Sequence, residues 1–182
     1  MRWRRIWRGF RPLTLFLMLA VAEGKVISRE EALGAAFPGA EIRSGVVFLT
    51  DSETKEIARI SGVDVPTALV ARYTAVQGGE VIGRAYLDTH TVRTKKESLL
   101  IILDAAAKVK RIEVVAFLEP PEYAPPDRWY QQFEQKQLND RLRVGGEIHP
   151  LTGATLSARV TTDAVRRVLA TDQLLQKREK QP

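Results

Sequence analysis

Two stretches rich in β-branched and alternating residues, Ala68–Val76 and Val81–Leu87, are separated only by Gln77-Gly78-Gly79-Glu80. A link this short with two glycines is a hairpin signal, because glycine reaches the positive-φ backbone that a tight reversal needs. It leaves no room for a crossover helix, so the two strands must be antiparallel neighbours. Leu99–Leu103 and Val109–Phe117, joined by a loop around Asp104–Lys108, read as a second antiparallel pair. Glu41–Leu49 reads as one more strand, with Val46, Val47 and Phe48 its apolar part. The strands follow one another as a meander, without βαβ alternation. The expected fold class is therefore α+β, an antiparallel sheet with packed helices.

Helix signals flank the strands. Ser28-Arg29-Glu30-Glu31 has the form of a capping box, followed by Leu33, Ala36 and Phe37 on one face and ended by Pro38-Gly39. Thr50-Asp51-Ser52-Glu53 is a second box, opening a short helix through Ile57 and Ile60 to Gly62. Between the hairpins, His90-Thr91-Val92-Arg93-Thr94-Lys95-Lys96-Glu97 is expected as a solvated loop, on the usual exposure of charged residues; its cations could alternatively meet an anionic cofactor or a redox partner. Glu119–Pro126 carries four prolines in eight residues, which predicts an extended segment incompatible with helix. A helix bearing Trp129, Tyr130 and Phe133 starts near Asp127. A last helix has Val160, Ala164, Val165, Val168 and Leu169 at spacings of three and four, the mark of one buried face.

Composition enters through what it excludes. The chain has no cysteine, so thiolate chemistry, disulfides and Cys-ligated clusters are ruled out. His90 and His149 are the two histidines, and no metal-ligand spacing is visible. The net charge of +6 comes largely from Arg2, Arg4, Arg5, Arg8 and Arg11; without those five the balance is 23 basic to 22 acidic residues. A nearly neutral body argues against nucleic acid as a partner. After the basic start comes the apolar run Leu13–Ala22, too short for a membrane span of roughly 20 residues but the length of an export-signal core. Ala20-Val21-Ala22 is a small-x-small cleavage pattern. Residues 1–22 are read as a signal peptide or an N-terminal membrane anchor, 23–176 as the folded domain and 177–182 as a charged tail. The domain is then exported, facing the periplasm or the outer side of the cytoplasmic membrane.

The chemistry concentrates at His149-Pro150-Leu151-Thr152-Gly153-Ala154-Thr155-Leu156-Ser157, which opens the last helix. Thr155 falls at or just before a helix N-terminus. Two readings stay open on the residues alone. One is a Thr or Ser N-cap. The other is a phosphate held by free N–H groups and the positive helix end, with Gly153 and Ala154 leaving space for it.

Thr152-Gly153-Ala154-Thr155 resembles the S/T-G-A-T motif of FMN-binding domains, a family that includes flavin-carrying subunits of the Na⁺-pumping NADH:quinone oxidoreductase and the Rnf complex. The resemblance covers roughly residues 68–169 and is sharpest from Glu119 to Ser157. It implies FMN attached by a phosphoester bond to Thr155, placed there by a flavin transferase with FAD as donor. It also implies a cofactor set of Thr152, Gly153, Ala154, Leu156, Ser157 and His149, with Glu119, Tyr123 and Trp129 as the flavin-side wall. The family has an acidic residue three positions before the first Thr or Ser; here that residue is His149. Where the family has a Glu-Thr-Pro-Gly type segment, this chain keeps Glu119 but has Pro120-Pro121-Glu122 in place of Thr-Pro-Gly, with Trp129, Gln132 and Phe133 following in the family's order. The implied function is an electron carrier working with redox partners in or at the membrane. Two alternatives remain: an FMN-dependent reductase of a small acceptor, and a non-redox exported adaptor with an empty flavin site.

Overall fold

The computed structural model describes residues 27–180. The export segment expected at 1–22 lies outside the described residues. The element order is α1 (Arg29–Ala36), β1 (Glu41–Phe48), α2 (Asp51–Ser61), β2 (Leu69–Gln77), β3 (Glu80–Thr91), β4 (Lys96–Asp104), β5 (Val109–Phe117), α3 (Asp127–Tyr130) and α4 (Thr155–Glu179). The chain is α+β, as expected, with a five-stranded antiparallel sheet in the order β1-β2-β3-β4-β5. Every strand pairs with its sequence neighbour, which is what short connections impose.

The capping signals act locally as read. Thr50 and Glu53 form the reciprocal box of α2, and Gly62 closes that helix in the left-handed conformation (φ 70°). Ser28 accepts from the Glu31 amide at the start of α1. The β2–β3 turn uses Gly78 and Gly79, both at positive φ.

The sheet separates two apolar layers. On one face α2 and α4 pack over Tyr86, Leu99, Ile101 and Leu103, joined by Trp129, Tyr130, Phe133, Leu142 and Ile148 from the long segment before α4. On the other face α1 alone covers Tyr73, Ala75, Ala85, Leu100 and Ile102. α4 is bolted to β3 by Asp172, which accepts from Arg84 (2.5 Å) and from the Tyr86 hydroxyl (2.8 Å). Both charges are buried, so the pair survives only because each is matched.

Three expectations are corrected. The run 90–97 is only in part a solvated loop: β3 extends through Thr91 and β4 starts at Lys96, leaving a short turn in which Arg93, Thr94 and Lys95 are exposed. His90 and Glu97 face inward there, and the Glu97 side chain is wholly buried. The proline-rich segment is not extended throughout, since Pro121–Tyr123 makes one 3-10 turn. The tail is exposed but not separate. Residues 177–179 are the last turn of α4, where Arg178 pairs with Glu53 (3.1 Å) and Glu179 pairs with Arg72.

Candidate functional site

α4 begins inside the Thr-Gly-Ala-Thr stretch. Its first residue is Thr155, and the residue before it, Ala154, offers no side-chain cap. Of the two readings of Thr155, the structure removes the cap. The Thr155 hydroxyl leans back toward the Leu151 carbonyl (3.4 Å), and the residue is exposed. Ser157 caps nothing either, because its buried hydroxyl donates to the Tyr123 carbonyl (2.6 Å). No side chain among the described residues accepts from the amides of Thr155, Leu156 or Ser157. These are the orphan donors at the positive end of a 25-residue helix. Gly153 sits at φ 84° with open space where a side chain would project, a conformation only glycine adopts cheaply.

Facing this helix end is Arg93, one of the cations of the 90–97 run. Arg93, Tyr123, Gly153, Ala154, Thr155, Leu156 and Ser157 line one cleft of about 180 Å³. The Arg93 guanidinium lies 4.5 Å from the centre of the Tyr123 ring, a cation–π geometry that steadies a long side chain without using its hydrogen-bond donors. The signal was present in the meander. Once β4 and β5 are placed as neighbours, Glu119 at the end of β5 must lie beside the turn that precedes β4.

That turn is built by Glu119. Its Oε1 accepts from the amides of Thr94 (2.6 Å), Lys95 (2.7 Å) and Arg93 (3.1 Å). The Thr94 and Lys95 amides hold its carboxyl below the usual range. Glu119 does not line the cleft; it acts as a clamp that fixes the backbone of Arg93. Trp129 does not line it either. It is 5% exposed, packed edge-on against Tyr130 and Phe133. Its indole N–H donates to the His149 carbonyl (3.0 Å), and Gln132 accepts from the His149 amide (2.8 Å). Trp129 and Gln132 thus pin the chain as it enters the motif, while His149 and Thr152 are exposed and stand outside the cleft lining. Tyr123, Gly153, Ala154, Thr155, Leu156 and Ser157 are brought together; Glu119, Trp129, His149 and Thr152 are not among them.

Behind this end of α4 lies a buried polar network that no motif announced. His90 is held between Asp88 (2.9 Å) and Glu97 (3.0 Å). Arg167 forks onto Asp88 with two contacts of 2.9 Å, and Tyr130 donates to Glu97 (3.2 Å). Thr161, one turn beyond Ser157, also reaches Glu97 (3.4 Å). Burial opposes charge on His90, but the two carboxylates outweigh it and raise its pKa to about 9. The imidazole is a cation at neutral pH. A wider cleft of about 1190 Å³ opens beside it, between α2 and α4, with Lys96, Asp163 and Arg167 among its lining.

The site so defined is an uncapped helix start with an exposed hydroxyl at its first residue and Arg93 in the same cleft. No family model matches the chain, and no curated protein matches it in sequence.

Proposed function

We propose that this chain is an exported flavin carrier of the FMN-binding-domain type, with FMN joined through its phosphate to Thr155, relaying electrons between partners in or at the membrane. The single observation that carries the reading is the exposed Thr155 hydroxyl on the first turn of an uncapped long helix, with Arg93 lining the same cleft. A flavin transferase would use FAD as the donor. Thr155 Oγ would attack the flavin-side phosphorus, with the pyrophosphate P–O bond breaking, AMP leaving, and the hydroxyl proton passing to solvent. The product is a phosphodiester with one negative charge.

The residues fit that group. The free amides of α4 and the Arg93 guanidinium offer donors to the two phosphate oxygens. Gly153 leaves the backbone open to close approach. Bound flavin would supply the electron chemistry; the protein supplies position and charge. A cleft of about 180 Å³ is smaller than the pockets that enclose whole cofactors, on the order of 300–1,000 Å³, so the ring would stand largely at the surface. An exposed ring suits a relay between proteins better than an enzyme with its own substrate chamber.

The test is the intact mass of the chain co-expressed with a flavin transferase and exported, beside Thr155→Val. Added mass equal to FMN less one water, absent from the variant, supports the reading. The absence of both added mass and flavin fluorescence in the native protein overturns it. Thr155 is exposed, so the substitution leaves the fold intact.

A further inference from the structure

β3 is longer than the strand beside it. The β2–β3 ladder stops at Ala71–Leu87, while β3 runs on to Thr91 and pairs with β4 to its end. Leu69 would stand opposite Thr89 if the ladder continued, but its amide turns to the Thr67 hydroxyl (3.1 Å). Alternation along an antiparallel pair tells which backbone groups are left over. The Val92 amide donates to the Lys95 carbonyl (3.0 Å), so residues 92, 90 and 88 turn their backbone groups toward β4. Thr89 and Thr91 turn theirs the other way, where no strand meets them among the described residues. A bare edge of β-branched residues without proline is a template for one more strand.

Two further observations say what this edge takes. The first is space. Thr89, His90 and Thr91 line the cleft of about 1190 Å³ between α2 and α4, whose other walls include Val63, Pro66 and Val160. A strand advances about 3.3 Å per residue, so a few residues of extended chain fit there. The second is charge. His90 and Arg167 are spent on Asp88 and Glu97. Asp163, Asp64 and Lys96 also line the cleft, and their side chains form no ion pair among the described residues. Asp163 is partly buried, and that burial raises the pKa of its carboxyl. Residues opposite each other across a ladder share a face. The His90–Glu97 pair faces α4, where Thr161 reaches Glu97, and the Thr91–Lys96 pair faces the α1 side. On an added strand, the residue beside His90 would point toward α4 and Asp163. Its neighbour beside Thr91 would point to the side from which Lys96 reaches the cleft.

We infer that the free edge of β3 at Thr89–Thr91 takes an extended peptide segment of a partner protein as an added strand, with a Lys or Arg side chain toward Asp163 and an adjacent Asp or Glu toward Lys96. Main-chain hydrogen bonds supply the hold, and the two charges select the partner. The inference goes beyond the flavin reading and does not depend on it, because none of these residues lines the Thr155 cleft.

The test titrates the isotope-labelled full chain with the peptide acetyl-Thr-Val-Lys-Glu-Val-Thr-amide, followed by amide shifts and amide exchange. Slowed exchange at Thr89 and Thr91 is the expected result. A copy of the peptide N-methylated at Lys and Glu should bind about tenfold more weakly, the loss of one or two hydrogen bonds. Asp163→Asn should weaken the parent peptide about three- to fivefold and leave a copy with norleucine in place of Lys unaffected. Lys96→Gln should do the same, with Gln in place of Glu as the unaffected copy. Asn keeps the shape of Asp163 and Lys96 is exposed, so both variants keep the fold. Equal binding of the N-methylated copy overturns the added strand. Binding that ignores both substitutions overturns the charge pairing. No protection at Thr89 and Thr91 with millimolar peptide overturns the inference as a whole, and none of these outcomes touches the mass carried by Thr155.

Discussion

At the scale of single residues, the site depends on side chains whose work is indirect. Glu119 spends one carboxylate oxygen on three amides, so Glu119→Gln should loosen the 93–95 turn. Faster amide exchange at Arg93, Thr94 and Lys95, together with poorer flavin loading, is the expected outcome; unchanged exchange would remove its role as a clamp. Because its folded pKa is depressed, this contribution holds above the ordinary carboxylate range and fades as pH falls through the depressed value. His90 behaves oppositely. Its pKa is raised from 6.5 to about 9, so its stabilisation is complete below pH 6.5 and is lost as pH rises toward 9. The shift corresponds to about 3 kcal/mol. Denaturant midpoints should fall across that window, and His90→Gln should flatten the fall. Neither role was legible in the sequence. Polar residues such as Asp88, His90 and Glu97 carry no apolar alternation, and their partners Arg167, Tyr130 and Thr161 lie far away in the chain.

At the scale of elements, local signals carried most of the information. The Thr50–Glu53 box, the Gly78-Gly79 turn and the β-branched run of β5 each fixed their element, because each acts within a few residues. The ends of β3 and β4 were missed, since pairing alone extends them through polar residues. The start of α4 was legible to within a residue, yet the absence of a side-chain cap at Ala154 appears only in the structure. Contact between α1 and the sheet turns on one glycine. A Cβ at Gly83 would lie 2.4 Å from a Phe37 ring carbon and 2.6 Å from the Leu103 carbonyl. Gly83→Ala should therefore push α1 away and cost about 1–3 kcal/mol, read as a lower denaturation midpoint. Phe133→Ala, at a fully buried ring touching Trp129, should cost about 3–5 kcal/mol and loosen the strut that positions His149.

At the scale of the whole molecule, the two halves of the candidate site come from opposite ends of the domain's construction. Among the described residues no helix is long and apolar enough to cross a membrane. Phe48→Ser with Leu69→Ser should change stability by no more than about 0.5 kcal/mol, since both side chains are exposed, and a denaturant titration checks this. The strict β1-to-β5 order has a consequence for the sequence of events in the cell. Each strand finds its partner in the strand made just before it, so the sheet can zip together while the chain is still emerging. α4 is the last element in the chain, and Asp172 must find Arg84, 88 positions earlier in the sequence. The clamp that presents Arg93, closed by Glu119, lies wholly upstream of Thr155. A transferase that recognises both halves would thus see its substrate only in a chain already assembled, and the attached cofactor would mark a molecule that has passed inspection.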